Sequence, residues 1–318
     1  MAEQLRIGDA LNETFQFAVQ RWLTILRLGW APLLMAMLIS TVVAMGIFDF
    51  AALRALEDDP NGLLQFADYV RLPLPAAILL GVLAMVAVSL IVSGFMASVF
   101  RLVALGEEQP GFFNIRVDGP AMRVFVAQWI ITAIICGIFL VALLVGSLLT
   151  GITMSAAFGS ISEFFRIVAE SAAEGTQPAA QTMRESVAPM GLFGVAFLLS
   201  IIPMIFVNIR LAPFMAGSAV ENRLLLAGSF SLTKGKFWSL FGYYLLLALS
   251  LMAIGIIYNI VFSIVDVLTS LPAGGLFGII ALLANLFAIA LTLAYQIFTM
   301  ALQLGGQGII YRRLKTGA

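Results

Sequence analysis

Arginine recurs at three matched places in this chain, and guanidinium groups so placed can hold phosphate oxygens. Val99-Phe100-Arg101-Leu102, Asn208-Ile209-Arg210-Leu211 and Ile310-Tyr311-Arg312-Arg313 each set an arginine near the end of a long apolar stretch. Lys234 and Lys236 flank Gly235 just ahead of the fifth apolar stretch, and Arg123 stands at the start of the third. A guanidinium meets a phosphate through paired hydrogen bonds, a geometry that an ammonium cannot reproduce. Arg101, Arg210, Arg312, Lys234 and Lys236 are therefore the candidate site for anionic lipid headgroups at one membrane face. The same residues also serve as plain anchors that keep basic loops on one side.

Other chemistry is excluded by what the chain lacks. It has no histidine, and its one cysteine, Cys136, lies in the middle of an apolar stretch. Ser-His and Cys-His nucleophiles, histidine-held zinc or haem and thiolate clusters all fall away, and Cys136 reads as a small core residue. Gly305-Gly306-Gln307-Gly308 lacks the preceding strand and following lysine of a phosphate loop, so it reads as close packing or a helix-end hinge. Glu57, Asp58 and Asp59 read as a solvated loop face, and Asp266 as an interfacial or capping carboxylate. Gln128, Asn259, Asn285 and Gln296 read as interhelical hydrogen-bonding groups, with a polar pathway as the alternative. No catalytic pair emerges; the expectation is a non-enzyme without cofactor or metal. A pI near 6.3 and the absence of any nucleic-acid module exclude nucleic acid as a partner.

The elements that position these residues are membrane helices. Leu28 to Phe48, Leu74 to Phe100, Val124 to Thr150, Met190 to Ile209, Phe237 to Val265 and Leu276 to Gln303 contain no charged residue, and each is long enough to span a bilayer. Hydrophobic residues make up 62% of the 318 and charged ones 11%, with mean hydropathy +1.06, far from soluble averages. Uninterrupted apolar runs imply helices, since barrel strands alternate. The fold class is all-α: a polytopic membrane protein with six transmembrane helices. Only Arg54, Arg71, Arg166 and Arg184 of the 17 basic residues fall in the outer loops, so both termini are expected in the cytoplasm. The acidic residues kept inside are Glu3, Asp9, Glu13, Glu107, Glu108, Asp118 and Glu221. No cleavable signal peptide is visible.

Ile7, Leu11, Phe15, Ala18 and Trp22 form an apolar stripe before the first span, as in a helix lying at the inner interface. The pattern returns at an offset of 215: Leu11 to Phe17 with Arg21-Trp22 aligns with Leu226 to Leu232 with Lys236-Phe237. A third copy is drawn around Arg123 to Ile130, placing Trp129 over Trp22. The single membrane domain, residues 1–318, thus reads as three parallel units of interfacial helix plus hairpin, roughly 1–108, 115–221 and 222–318. Short surface helices are expected at 63–70 and 161–170, and a linker at 173–178. Pro32 and Pro203 predict kinks. Ser89, Ser93 and Ala97, like Ala284 and Ala288, predict close helix packing.

The stretch from Asn208-Ile-Arg210-Leu-Ala-Pro213 through Glu221, with Leu224 to Phe241, resembles the signature of bacterial YciC-like inner-membrane proteins. It is also similar to the membrane domain of some glycerophosphoryl diester phosphodiesterases. The likeness covers about 40 residues. It implies a six-span bacterial inner-membrane protein, and because no phosphodiesterase domain is present that activity does not carry over. The expected function is non-enzymatic: an accessory or scaffolding protein whose partners are membrane lipids and a membrane-protein partner or a second copy. A transporter or lipid-translocating protein is the alternative.

Overall fold

The computed structural model describes residues 6–48, 71–108, 115–160, 188–269 and 275–317. They are all-helical, and six helices are long and apolar enough to cross a membrane. In order the helices are α1 (Ile7–Gln20), α2 (Trp22–Ile47), α3 (Leu74–Leu105), α4 (Gly119–Thr150), α5 (Gly191–Val220), α6 (Leu226–Leu232), α7 (Phe237–Thr269) and α8 (Gly275–Thr316). Helix is what these runs must form, because in hydrocarbon each backbone N–H and C=O has to pair within its own segment. Their outer surfaces are apolar: Leu148 is 85% exposed, Ile202 76% and Met252 63%. Lipid tails are the medium in which such faces carry no penalty. At about 1.5 Å per residue α8 is roughly 63 Å long, about twice a hydrocarbon core, so its charged end extends beyond the apolar layer.

The chain forms two compact units, one of Met1–Ala36, Ser89–Gln128 and Ile209–Ala318, the other of Met37–Val88 and Trp129–Asn208. In the second unit Ala142, Leu143, Ala157, Leu192 and Ala196 form the buried cluster. Gly146 lets α4 and α5 approach, since a Cβ there would lie 3.0 Å from Leu192. Phe158 packs edge-on against Phe193 at 5.2 Å. Cys136 corrects the sequence reading: it is exposed on α4, not a core residue. α2 and α5 run through Pro32 and Pro203 as continuous helices.

The first unit is organised by close approach of α1 to α7 and α8. Ala10, Thr14 and Ala18, four residues apart, are fully buried. Thr14 meets Gly306 of α8. A Cβ on Gly305 would stand 2.7 Å from the Phe17 ring, one on Gly306 would strike the Tyr243 hydroxyl, and one on Gly308 would stand 2.9 Å from Val103. The Gly305-Gly306-Gln307-Gly308 segment is thus a packing surface, and α8 runs through it unbroken, so the hinge reading falls. Of the predicted stripe, Ala18 is fully buried, while Ile7, Leu11, Phe15 and Trp22 are half-buried. Among helices in lipid, association depends on how closely backbones pack, and here the glycines of α8 leave room for Thr14 against Gly306 and for the Phe17 ring against Gly305. Thr14 donates to the Ala10 carbonyl at 2.8 Å, and its hydroxyl is 2.8 Å from that of Tyr243.

Residues aligned at the offset of 215 occupy like places. α2 begins at Trp22 and α7 at Phe237, each after a short helix, and the buried Ser229 donates to the Leu225 carbonyl at 3.0 Å as Thr14 does to Ala10. At the middle alignment α4 instead continues from Gly119 through Trp129 without a break. The acidic trio Glu57, Asp58 and Asp59, the surface helices expected at 63–70 and 161–170 and the linker at 173–178 lie outside the described residues.

Candidate functional site

Every residue of the predicted phosphate-binding set lies in the first unit, and the arginines have internal partners. Gly106, at φ +70°, turns the chain after α3 so that Glu107 comes back over Arg101. Nε of Arg101 donates to one carboxylate oxygen at 2.8 Å, and Nη2 to the other at 3.0 Å. Nη1 reaches the carbonyl of Ala219, near the end of α5, at 3.2 Å. This is the fork that would otherwise meet a phosphate, already filled by a carboxylate. Arg312 pairs with Glu13 of α1 and donates to the Val103 carbonyl at 3.3 Å; Arg313 takes the other Glu13 oxygen at 3.0 Å. Arg101, near the end of α3, ties that end to α5, and Arg312 ties α8 and α1 to the same end through Val103 and Glu13.

Arg210 stands apart from those two. Its Nη1 donates at 3.3 Å to the hydroxyl of Thr233, which itself donates to the Ser229 carbonyl at 2.8 Å. That contact holds the turn between α6 and α7. Arg123 donates to the Asn222 side-chain oxygen at 3.0 Å, and Asn222 takes φ 55°, a left-handed conformation that asparagine tolerates. Asp118 pairs with Arg116, and the Arg116 carbonyl lies against Gly94, where any Cβ would collide with it.

Glu221 is the second carboxylate hub. It accepts from the Lys315 ammonium at 2.8 Å, the Tyr311 hydroxyl at 2.7 Å and Arg223 at 2.9 and 3.1 Å. Lys315 first, then Tyr311, hold its carboxyl down at about 2. A depressed carboxylate adds stability above its unfolded value, about 4.3, and loses that contribution as pH falls from there through the folded value. Melting temperature in detergent, followed from pH 6 downward, is expected to fall more steeply for the wild type than for Glu221→Gln below about pH 4.3. Parallel curves for the two proteins would show that these contacts do not stabilise the fold.

The lysines differ from the arginines. Among the described residues no ion pair or side-chain hydrogen bond engages Lys234 or Lys236; Lys234 is exposed and Lys236 half-buried. They flank Gly235, whose φ of +77° makes the turn. Beside them Trp238 is 77% exposed, and its ring lies 5.4 Å from Phe237 and 5.9 Å from Phe241. Phe230, at the far side of the turn, is also exposed. Amphipathic rings and long basic side chains together are the side chains that settle at a membrane–water boundary.

The sequence reading missed the carboxylates. Glu13, Glu107, Glu108, Asp118 and Glu221 entered it only as charges on one side, yet each is ion-paired to arginine or lysine. Local signals existed for three of them: Glu107, six residues beyond Arg101; Asp118, two beyond Arg116; and Glu221, two before Arg223. Asn259 and Asn285 also differ from expectation: their amides donate to Gly255 and Ala281 of their own helices, each at 2.8 Å, and not across helices. Between α7 and α8 a cavity of about 330 Å³, lined by Trp22, Tyr258, Tyr295 and Phe298 among others, is apolar and suits hydrocarbon. Among the described residues no three His, Cys, Asp or Glu side chains gather to hold a metal. No family model, curated protein or solved structure matches this chain.

Proposed function

We propose that this chain is a non-enzymatic accessory or scaffolding protein of the bacterial inner membrane that binds anionic lipid at its cytoplasmic face. The observation that carries the reading is the α6–α7 turn, where two lysines without ion-pair or hydrogen-bond partners among the described residues flank Gly235, close in sequence to the exposed Trp238. Arg101, Arg210 and Arg312 then act as the frame: two lock helix ends through Glu107 and Glu13, and the third holds Thr233 beneath the lysines. The asymmetry of basic residues between the loops favours cytoplasmic termini, and the resemblance to YciC-like proteins favours the same membrane. A lysine ammonium near an anionic surface is worth about 1 kcal/mol, so a pair supplies roughly thirtyfold selectivity for anionic over zwitterionic lipid.

Lys234→Gln/Lys236→Gln is expected to reduce retention of phosphatidylglycerol relative to phosphatidylcholine by about ten- to thirtyfold in native mass spectrometry, with melting temperature unchanged. The wild-type preference should shrink with salt, as exposed charges are screened. Equal retention by wild type and the double variant would remove the lipid reading. Electrogenic or solute flux through the reconstituted wild type would favour the transporter alternative.

A further inference from the structure

α7 carries a second, independent surface, on the side turned away from its own neighbours. It is the least covered of the six spanning helices: only 6% of its most apolar stretch is buried, against 22% for α2. Its buried residues, Leu240, Tyr243, Leu247 and Val265, all fall on one side. On the other side Leu245, Leu249, Met252, Ile256, Asn259 and Ser263 follow a strict 4, 3, 4, 3, 4 spacing, and Asp266 continues it by 3. At about 100° per residue these positions lie within about 50° of a single line. Each is exposed, Leu245 47%, Leu249 51%, Met252 63% and Ile256 55% among them.

Three seven-residue repeats make the seam of a left-handed helix pair, because 3.5 residues per turn keep the same side chains on the partner. Asn259 sits in the middle of this seam. One N–H of its amide already serves Gly255, which leaves its second N–H and its oxygen on an exposed face within a membrane span. Hydrocarbon offers them nothing, and a facing amide satisfies both. Two copies of one membrane protein insert with the same orientation, so a twofold axis along the membrane normal brings α7 beside α7 in parallel. Identical residues then face each other, and Asn259 meets Asn259. We propose that α7 is the interface between two copies of this chain, set in register by an Asn259 amide pair. Asp266 closes the seam at the water boundary, where its like charges are screened.

The surface does not depend on the lipid-binding turn, and its test is separate. In a Cys136→Ala background, single cysteines replacing Met252, Ile256, Asn259 and Ser263 are expected to form dimer-sized disulfides in native membranes under mild oxidation. Ile254→Cys and Ile257→Cys, on the opposite side of the helix, are expected to stay monomeric. In proteoliposomes diluted with lipid and read by energy transfer between labelled copies, Asn259→Leu should weaken self-association by about three- to twentyfold, while melting temperature in detergent is kept. Cross-linking without this periodicity, cross-links only to a different protein, or no effect of Asn259→Leu would overturn the proposal.

Discussion

Gly306→Leu is expected to detach α1 from α7 and α8 and to lower unfolding stability by about 1 to 4 kcal/mol. Even the first added carbon collides with the Tyr243 hydroxyl, and Leu247 and Thr14 stand 3.3 and 3.5 Å from it. None can withdraw cheaply. Tyr243 and Thr14 are buried and joined at 2.8 Å, so moving either breaks their hydrogen bond, worth about 1 kcal/mol. The rest is the strain of inserting volume into a packed core, about 1 to 3 kcal/mol. Leucine's better helix propensity returns less than about 1 kcal/mol. Gly137→Leu on α4 is the control, since a Cβ there meets nothing within 4 Å. Thermal unfolding in detergent, with proteolysis between α1 and α2 as a second readout, should separate the two. Equal melting temperatures for Gly306→Leu and wild type would mean that α1 is not seated on these glycines.

The six spans were legible because hydrocarbon leaves a chain no other backbone solution, and length and apolarity are read one segment at a time. The packing of α1 was not. Its stripe of Ala10, Thr14 and Ala18 is less hydrophobic than the flanking Ile7, Leu11 and Phe15, and only knowledge that Gly305 and Gly306 lie opposite α1 makes the small residues the buried ones. Amphipathic reasoning assumes water on one side and core on the other. Near a membrane both faces have apolar options, and close approach decides. The arginines were recognised as a set but assigned an external anion, because Glu13 and Arg312 are 299 residues apart and nothing local joins them. The lysine turn was legible in both composition and position. Its exposure is the structural counterpart of a motif with no carboxylate nearby in sequence.

Glu13 is where the frame and the lipid reading meet, and replacing it has opposite expected effects on stability and on binding. Glu13→Gln leaves Arg312 and Arg313 without their shared counter-charge. Removing one partner of a fully buried pair costs about 3 to 5 kcal/mol, while exposed pairs contribute about 1 kcal/mol or less. The side chains here are 30% exposed for Glu13, 41% for Arg312 and 19% for Arg313, between those limits and partly screened. The expected loss is therefore about 1 to 3 kcal/mol, measured as unfolding stability in detergent. In a double-mutant cycle, Arg312→Gln should cost less in the Glu13→Gln background than in the wild type, because the interaction it would remove is already gone. The freed guanidinium groups become available to phosphates, so Glu13→Gln should retain phosphatidylglycerol more strongly than wild type, by up to roughly 1 kcal/mol per arginine. Strict additivity in the cycle, with unchanged lipid retention, would mean that Arg312 is not held by Glu13 in the membrane and that the frame assigned to these arginines is wrong.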